Sequence, residues 1–108
     1  MKVYNKIVRD KYPEIIVESG DTPQFKILSG EAYANAMKLK LVEEAQEFLA
    51  AETREQQIEE LADIYEVIDT LRDIFDLNFT DICKTQIDKN NKKGKFRKGY
   101  FLQKVFER

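Results

Sequence analysis

Residues 31–75 contain neither proline nor glycine, and most of them are strong helix formers. One signal divides the run: Thr53 followed by Gln56, a T-x-x-Q capping box that marks a new helix start. Ser29 stands where it can cap the stretch before it, "EAYANAMKLKLVEEAQEFLAAE", and the stretch after it runs from Arg54 to about Phe75. Two long helices on either side of so short a break fold back as an antiparallel hairpin. Smaller elements flank it. Asp10 can N-cap a short helix through Pro13 to about Glu18, stopped by Gly20. "TPQFKIL" reads as a turn and a short extended segment. A fourth helix starts between Asn78 and Thr80, puts Phe79, Ile82, Cys83, Gln86 and Ile87 on one face, and ends at Gly94. The tail "KFRKGYFLQKVFER" suits either an extended arm or a strand pairing with "QFKIL". The expected fold is all-α, a helical hairpin or bundle of about four helices with short extended terminal segments.

A chain of 108 residues is the size of one domain, and 43% hydrophobic with 35% charged residues describes a well-solvated one. No apolar run approaches the roughly 18–20 residues that cross a bilayer, and "MKVYNKIVRD" lacks the pattern of a signal peptide. The expectation is a soluble cytoplasmic protein with no membrane partner. Cys83 is the single cysteine, which fits a reducing compartment. The absence of histidine excludes a Ser-His-Asp triad, imidazole acid–base chemistry and Glu-x-x-His di-iron centres, and leaves no thiolate or imidazole zinc site. Any metal must be a hard cation held by oxygen: magnesium, manganese or calcium.

The informative residues are acidic ones in the wrong place. At about 100° per residue, Tyr33, Met37, Leu41 and Phe48 share one stripe of the first long helix, and Glu44 falls inside it. Glu47, three residues on, reaches the same point from the stripe's flank. On the next helix Ile64, Val67 and Leu71 form a stripe that Glu60 continues, with Asp63 as its i+3 neighbour. Either pair alone is an ordinary solvated face. Facing each other across a hairpin, the four carboxylates would repel and raise one another's pKa unless divalent cations supplied the missing charge. Both readings stand on geometry alone. Glu43 points about 100° away from Glu44, as a solvated residue or an outer helper.

The same residues carry a likeness. "EEAQE" (residues 43–47) followed by "EELAD" (residues 59–63) resembles the EExxE…ExxD signature of the MazG-like all-α nucleoside triphosphate pyrophosphohydrolases. That superfamily includes phosphoribosyl-ATP pyrophosphohydrolases and dimeric dUTPases. "YNKIVRDKYPEII" (residues 4–16) and "KNNKKGKFRKGYFL" (residues 89–102) are similar to the opening and closing segments of its small phosphoribosyl-ATP pyrophosphohydrolase-like members. The resemblance implies a magnesium-dependent enzyme, with manganese as a substitute, that splits a nucleoside triphosphate between its α and β phosphates into NMP and pyrophosphate. Noncanonical nucleotides are the expected substrates. It implies Glu44, Glu47, Glu60 and Asp63 as metal ligands. Glu43 and Glu44 become the catalytic candidates, with Glu43 orienting or deprotonating the attacking water. One departure is Lys95, which stands where a second glycine is often found.

Charge is distributed to match. Residues 31–83 hold four basic and fourteen acidic side chains, whereas residues 84–108 hold nine basic and two acidic ones. Lys6, Arg9, Lys11, Lys40, Lys89, Lys95 and Arg97 are candidate contacts for substrate phosphates, where they would neutralise charge on the pyrophosphate leaving group. Simpler roles compete: Lys40 as an i,i+4 partner of Glu44, Arg9 as an ion-pair partner of Asp10, Lys92, Lys93 and Lys98 as scattered surface lysines. A basic tail also suits nucleic acid, but Phe96, Tyr100 and Phe101 within it can equally pack a terminal strand, and no nucleic-acid partner is expected. Tyr33 or Phe96 can stack on a base. Leu39, Val42, Leu49, Ile68, Ile74 and Phe75 spread apolar surface around the hairpin beyond what one small domain buries, so a homodimer or homotetramer is expected. A phosphoribosyl-ATP or dUTP pyrophosphohydrolase, and a non-catalytic helical ligand-binding module, remain as rivals.

Overall fold

The computed structural model describes residues 1–108. The protein is all-α: helices α1 (Tyr12–Glu18), α2 (Gly30–Ala50), α3 (Arg54–Phe75) and α4 (Phe79–Lys93), with no strand. It is organised as two compact units, Met1–Asp76 and Leu77–Arg108.

In the first unit, α2 and α3 pack along each other as the hairpin that the unbroken run and its capping box require. The box forms in both directions. The Thr53 hydroxyl accepts from Gln56 N at 3.1 Å, and the Gln56 side chain accepts from Thr53 N at 3.2 Å. Those bonds satisfy donors that the first turn of α3 cannot satisfy itself. At its other end α3 stops at Asp76, in the left-handed conformation (φ 52, ψ 46), whose N–H reaches the carbonyls of Arg72 and Asp73.

Two caps differ from expectation. The N-cap of α1 is Lys11, not Asp10: of the two amides an Asp10 cap would serve, Tyr12 N is already bonded to Arg9 O at 3.0 Å and Pro13 has no N–H. Ser29 holds the N-cap position of α2, but its hydroxyl makes no capping bond.

The apolar contact between α2 and α3 is thin. Met37 and Val67, 7% and 6% exposed, are the buried hydrophobic residues, one from each helix. Tyr33 and Leu41 on α2 and Ile64 and Leu71 on α3 are half-buried around them. The most deeply buried side chain of all is Glu44, at 4%.

In the second unit, α4 begins at Asn78, whose side chain accepts from Thr80 N at 2.7 Å, and ends at Gly94 (φ 81) as its sequence directs. Residues 94–108 are in neither helix nor strand, and residues 24–28 form no strand either, so of the two alternatives for the tail the strand pairing with "QFKIL" does not form. Gly94 and Gly99 both adopt positive φ, which interrupts the extended backbone a ladder needs.

Candidate metal centre

Helix periodicity carries Glu44 inward one turn after Lys40 and two turns after Met37, on the face α2 presents to α3. From α3, Glu60 and Asp63 enter the same space, seven and four residues before the buried Val67. Two sets of carboxylates converge, each with its ligand oxygens within 4.8 Å of one another: Glu43, Glu44 and Glu47, and Glu44, Glu60 and Asp63. Glu44 belongs to both. The two E-x-x-[ED] pairs of the sequence therefore do meet across the hairpin.

Three cations stand against these five carboxylates. Lys40 Nζ, largely buried, lies 3.3 Å from Glu44 Oε1 and 3.2 Å from Glu43 Oε2. Lys6 Nζ donates to Glu43 Oε1 at 3.1 Å, and Arg9 Nη2 donates to Asp63 Oδ1 at 2.6 Å. Five formal negative charges against three positive ones leave an excess of two. The excess is concentrated where water does not reach: Oε2 of Glu44 and Oε2 of Glu60 are both buried and have no hydrogen-bond donor. A buried carboxylate oxygen without a donor is strongly unfavourable, so it normally has a proton, a donor or a metal.

Protonation equilibria follow the same division. Burial, reinforced by the neighbouring Glu44 and Glu47, pushes the Glu60 carboxyl from its ordinary 4.5 up to about 7. For Glu43, burial pushes upward but the hydrogen bonds from Lys6 and Lys40 prevail, and its carboxyl lies below the ordinary value. Its partner Lys6 is raised by the same hydrogen bond, partly opposed by burial, and Arg9 is raised by its bond to Asp63.

The site fits a hard divalent cation. The donors are oxygens only, drawn from two helices, and two of them lack any other partner. Glu44, Glu60 and Asp63, with the more exposed Glu47, are the side chains that could hold it.

Other candidates fall less neatly. Glu43 is half-buried and engaged rather than simply solvated, since it is the acceptor for both Lys6 and Lys40. Lys40 pairs with Glu43 as well as Glu44, and Arg9 pairs with Asp63 on α3 rather than with its neighbour Asp10. Lys11 is exposed at the start of α1. Lys89 on α4, and Lys95 and Arg97 beyond it, lie in the second unit. Tyr33 borders an open depression with Ala34, Lys38, Ile74 and Phe75, about 16 Å along α2 from Glu44 by helical rise. Sequence reasoning placed Lys6 and Arg9 at the site but missed their carboxylate partners. Separations of 37 and 54 residues leave no local signal for them.

An uncharacterized protein of Mycolicibacterium smegmatis is 44% identical over 54 residues, half of this chain and 55% of that protein. The chain thus spans little more than half the length of the curated relative it matches. No family model matches, and no solved structure does.

Proposed function

We propose that this chain is a magnesium-dependent nucleoside triphosphate pyrophosphohydrolase of the MazG-like kind. It would cleave between the α and β phosphates to release NMP and pyrophosphate and act on noncanonical nucleotides in the cytoplasm. The observation that carries the reading is Glu44. Its side chain is almost wholly buried, sits among four other carboxylates, and has one oxygen with no donor. A module that binds only through its surface has no use for that arrangement, whereas a hydrolase that works through a divalent cation can use it.

Glu44, Glu47, Glu60 and Asp63 would hold the cation. When bound, magnesium supplies positive charge to phosphate oxygens and lowers the pKa of a coordinated water. The remaining roles belong to the chain. Glu43, kept ionised by Lys6 and Lys40, is a weak proton acceptor and a good hydrogen-bond acceptor, so it orients the attacking water rather than deprotonating it. Lys6 and Arg9, exposed beside the carboxylates, are placed to take phosphate oxygens and offset charge on the departing pyrophosphate.

The reading includes a homodimer or homotetramer. Leu39, Val42, Leu49 and Phe75 are exposed on the hairpin, Leu49 at 86%, and a second copy is the economical cover for such a face.

Product analysis tests the activity. Wild type and Glu44→Gln, each with Mg²⁺, are given canonical and modified nucleoside triphosphates together with phosphoribosyl-ATP, and pyrophosphate and orthophosphate are assayed separately. Pyrophosphate with NMP from the wild type alone is the expected result. Orthophosphate as the primary product, or no product from any substrate with Mg²⁺ or Mn²⁺, contradicts it.

A further inference from the structure

The segment before α1 crosses both helices of the hairpin, and it does so through charge. Lys6 reaches Glu43 on α2 and Arg9 reaches Asp63 on α3. Residues 1–9 are in no helix or strand. The two cations remain well exposed, Lys6 at 38% and Arg9 at 63% of their side chains. Exposed pairs of this kind are weak and readily exchanged. Lys40 differs, because it is largely buried and built into α2 itself.

The partners are the telling feature. Glu43 belongs to one of the two convergent carboxylate sets and Asp63 to the other. Arg9 therefore occupies a carboxylate that the divalent ion would bind, and Lys6 one that lies within 4.8 Å of two others, Glu44 and Glu47, while the unpartnered Oε2 atoms of Glu44 and Glu60 mark the adjoining space. Carboxylate charge drawn to a divalent ion is no longer available to a monovalent side chain at the same oxygens.

We infer that the N-terminal segment is a metal-responsive latch. Lys6 and Arg9 are the resident counter-cations of the carboxylate cluster when no divalent ion is bound. Entry of the ion releases them to capture the phosphates of an incoming nucleotide. The inference rests on the metal-site reading above and adds an order to it, in which the divalent cation precedes the anionic substrate. It also assigns a second role to side chains that would otherwise serve as phosphate contacts only. A triphosphate arriving before the metal meets a surface whose cations are already engaged by carboxylates.

The test uses the full chain without nucleotide. Mg²⁺ is titrated calorimetrically into wild type, Arg9→Gln, Lys6→Gln and Lys2→Gln. Lys2 is a cation of the same segment that lies over the Tyr4 ring, 5.3 Å from its centroid, so its removal reports the general charge effect. In parallel the Arg9 guanidinium is followed by ¹⁵N NMR. With five arginines in the chain, its signal is assigned from its loss in Arg9→Gln. Removing a competing cation should tighten Mg²⁺ binding about three- to tenfold for Arg9→Gln and Lys6→Gln, and less than about twofold for Lys2→Gln. Mg²⁺ should also shift the Arg9 guanidinium resonance away from its position in the metal-free wild type, where it is bonded to Asp63, toward that of a free guanidinium. Mg²⁺ binding with all three variants alike and Arg9 still engaged overturns the latch while leaving the metal site standing. No Mg²⁺ binding by wild type or any variant, with helicity intact by circular dichroism, removes both.

Discussion

Replacing Glu44 with glutamine should stabilise the metal-free protein, although the residue is its most buried side chain. Two unit charges 4.8 Å apart, the outer limit within the cluster, interact by about 3 kcal/mol at an effective dielectric constant of about 20. Glu60, with its carboxyl at about 7, is roughly half ionised at pH 7, which halves its repulsion of Glu44. Glu43 and Asp63 carry cations of their own and add little. Against this stands the attraction of Lys40, 3.3 Å from Glu44 Oε1, but Lys40 keeps Glu43 at 3.2 Å and can still donate to the glutamine carbonyl. The new amide N–H can also donate to the Glu60 or Asp63 carboxylate. The balance is a gain of about 1–2 kcal/mol, or about 5–10 °C in the midpoint for a unit of this size. Thermal unfolding at pH 7 in EDTA, followed by circular dichroism, measures it. Mg²⁺ at tenfold above its dissociation constant should then add about 1.4 kcal/mol to the wild type and nothing comparable to Glu44→Gln. A Glu44→Gln variant that melts below the wild type in EDTA, or that gains equally from Mg²⁺, refutes the reasoning.

Stability without metal should depend on pH with a sign opposite to that of most carboxylates. Between 4.5 and about 7 the folded protein holds a proton on Glu60 that the unfolded chain has lost, so stability falls as pH rises through that window. Urea midpoints in EDTA should decline from pH 5 to 7.5, and Glu60→Gln should flatten the decline; an unchanged slope in the variant counts against the assignment. Glu43 acts in a separate window, since its lowered carboxyl contributes stability that disappears only as pH falls below 4.5. Lys40→Met keeps the aliphatic stem but leaves Glu44 with no partner on either oxygen, and should cost about 2–3 kcal/mol in EDTA, largely recovered with Mg²⁺. Urea unfolding with and without the ion separates that electrostatic loss from a packing defect, which Mg²⁺ would not repair. Thr53→Ala removes one half of the capping box and should cost about 1 kcal/mol, measured the same way and independent of Mg²⁺.

What the sequence makes legible is what local chemistry controls. The start of α3 follows from Thr53 and Gln56 because the cap is a contact over three residues, and the bounds of α4 follow from Asn78 and Gly94 for the same reason. Glu44 is legible as a misplaced acid because helical periodicity fixes the direction of its Cβ whatever lies opposite. That Glu60 and Asp63 lie opposite follows from the hairpin, but the convergence of the oxygens to within 4.8 Å does not, since that depends on the rotation of α3 about its axis. Asp10 reads as the cap of α1, but the Arg9 carbonyl already takes the Tyr12 N–H that its side chain would accept. The tail reads equally as an arm or a strand, and what decides against the strand includes the positive φ of Gly99, which its sequence permits but does not dictate. Least legible are the partners of Lys6 and Arg9. A lysine near the terminus advertises its charge, but which carboxylate it meets is settled only by how residues 1–11 cross the hairpin.

Manganese binding followed by electron paramagnetic resonance tests the central reading most directly, because free aqueous Mn²⁺ gives a sharp signal that coordination by protein suppresses. Wild-type protein should remove that signal saturably, Mg²⁺ should restore it by competition, and Glu44→Gln should leave it nearly untouched while folding as well as the wild type. A signal that wild type and Glu44→Gln reduce equally would mean that the ion binds elsewhere on an acidic surface, and that the carboxylate Glu44 buries between α2 and α3 is not there to hold a metal.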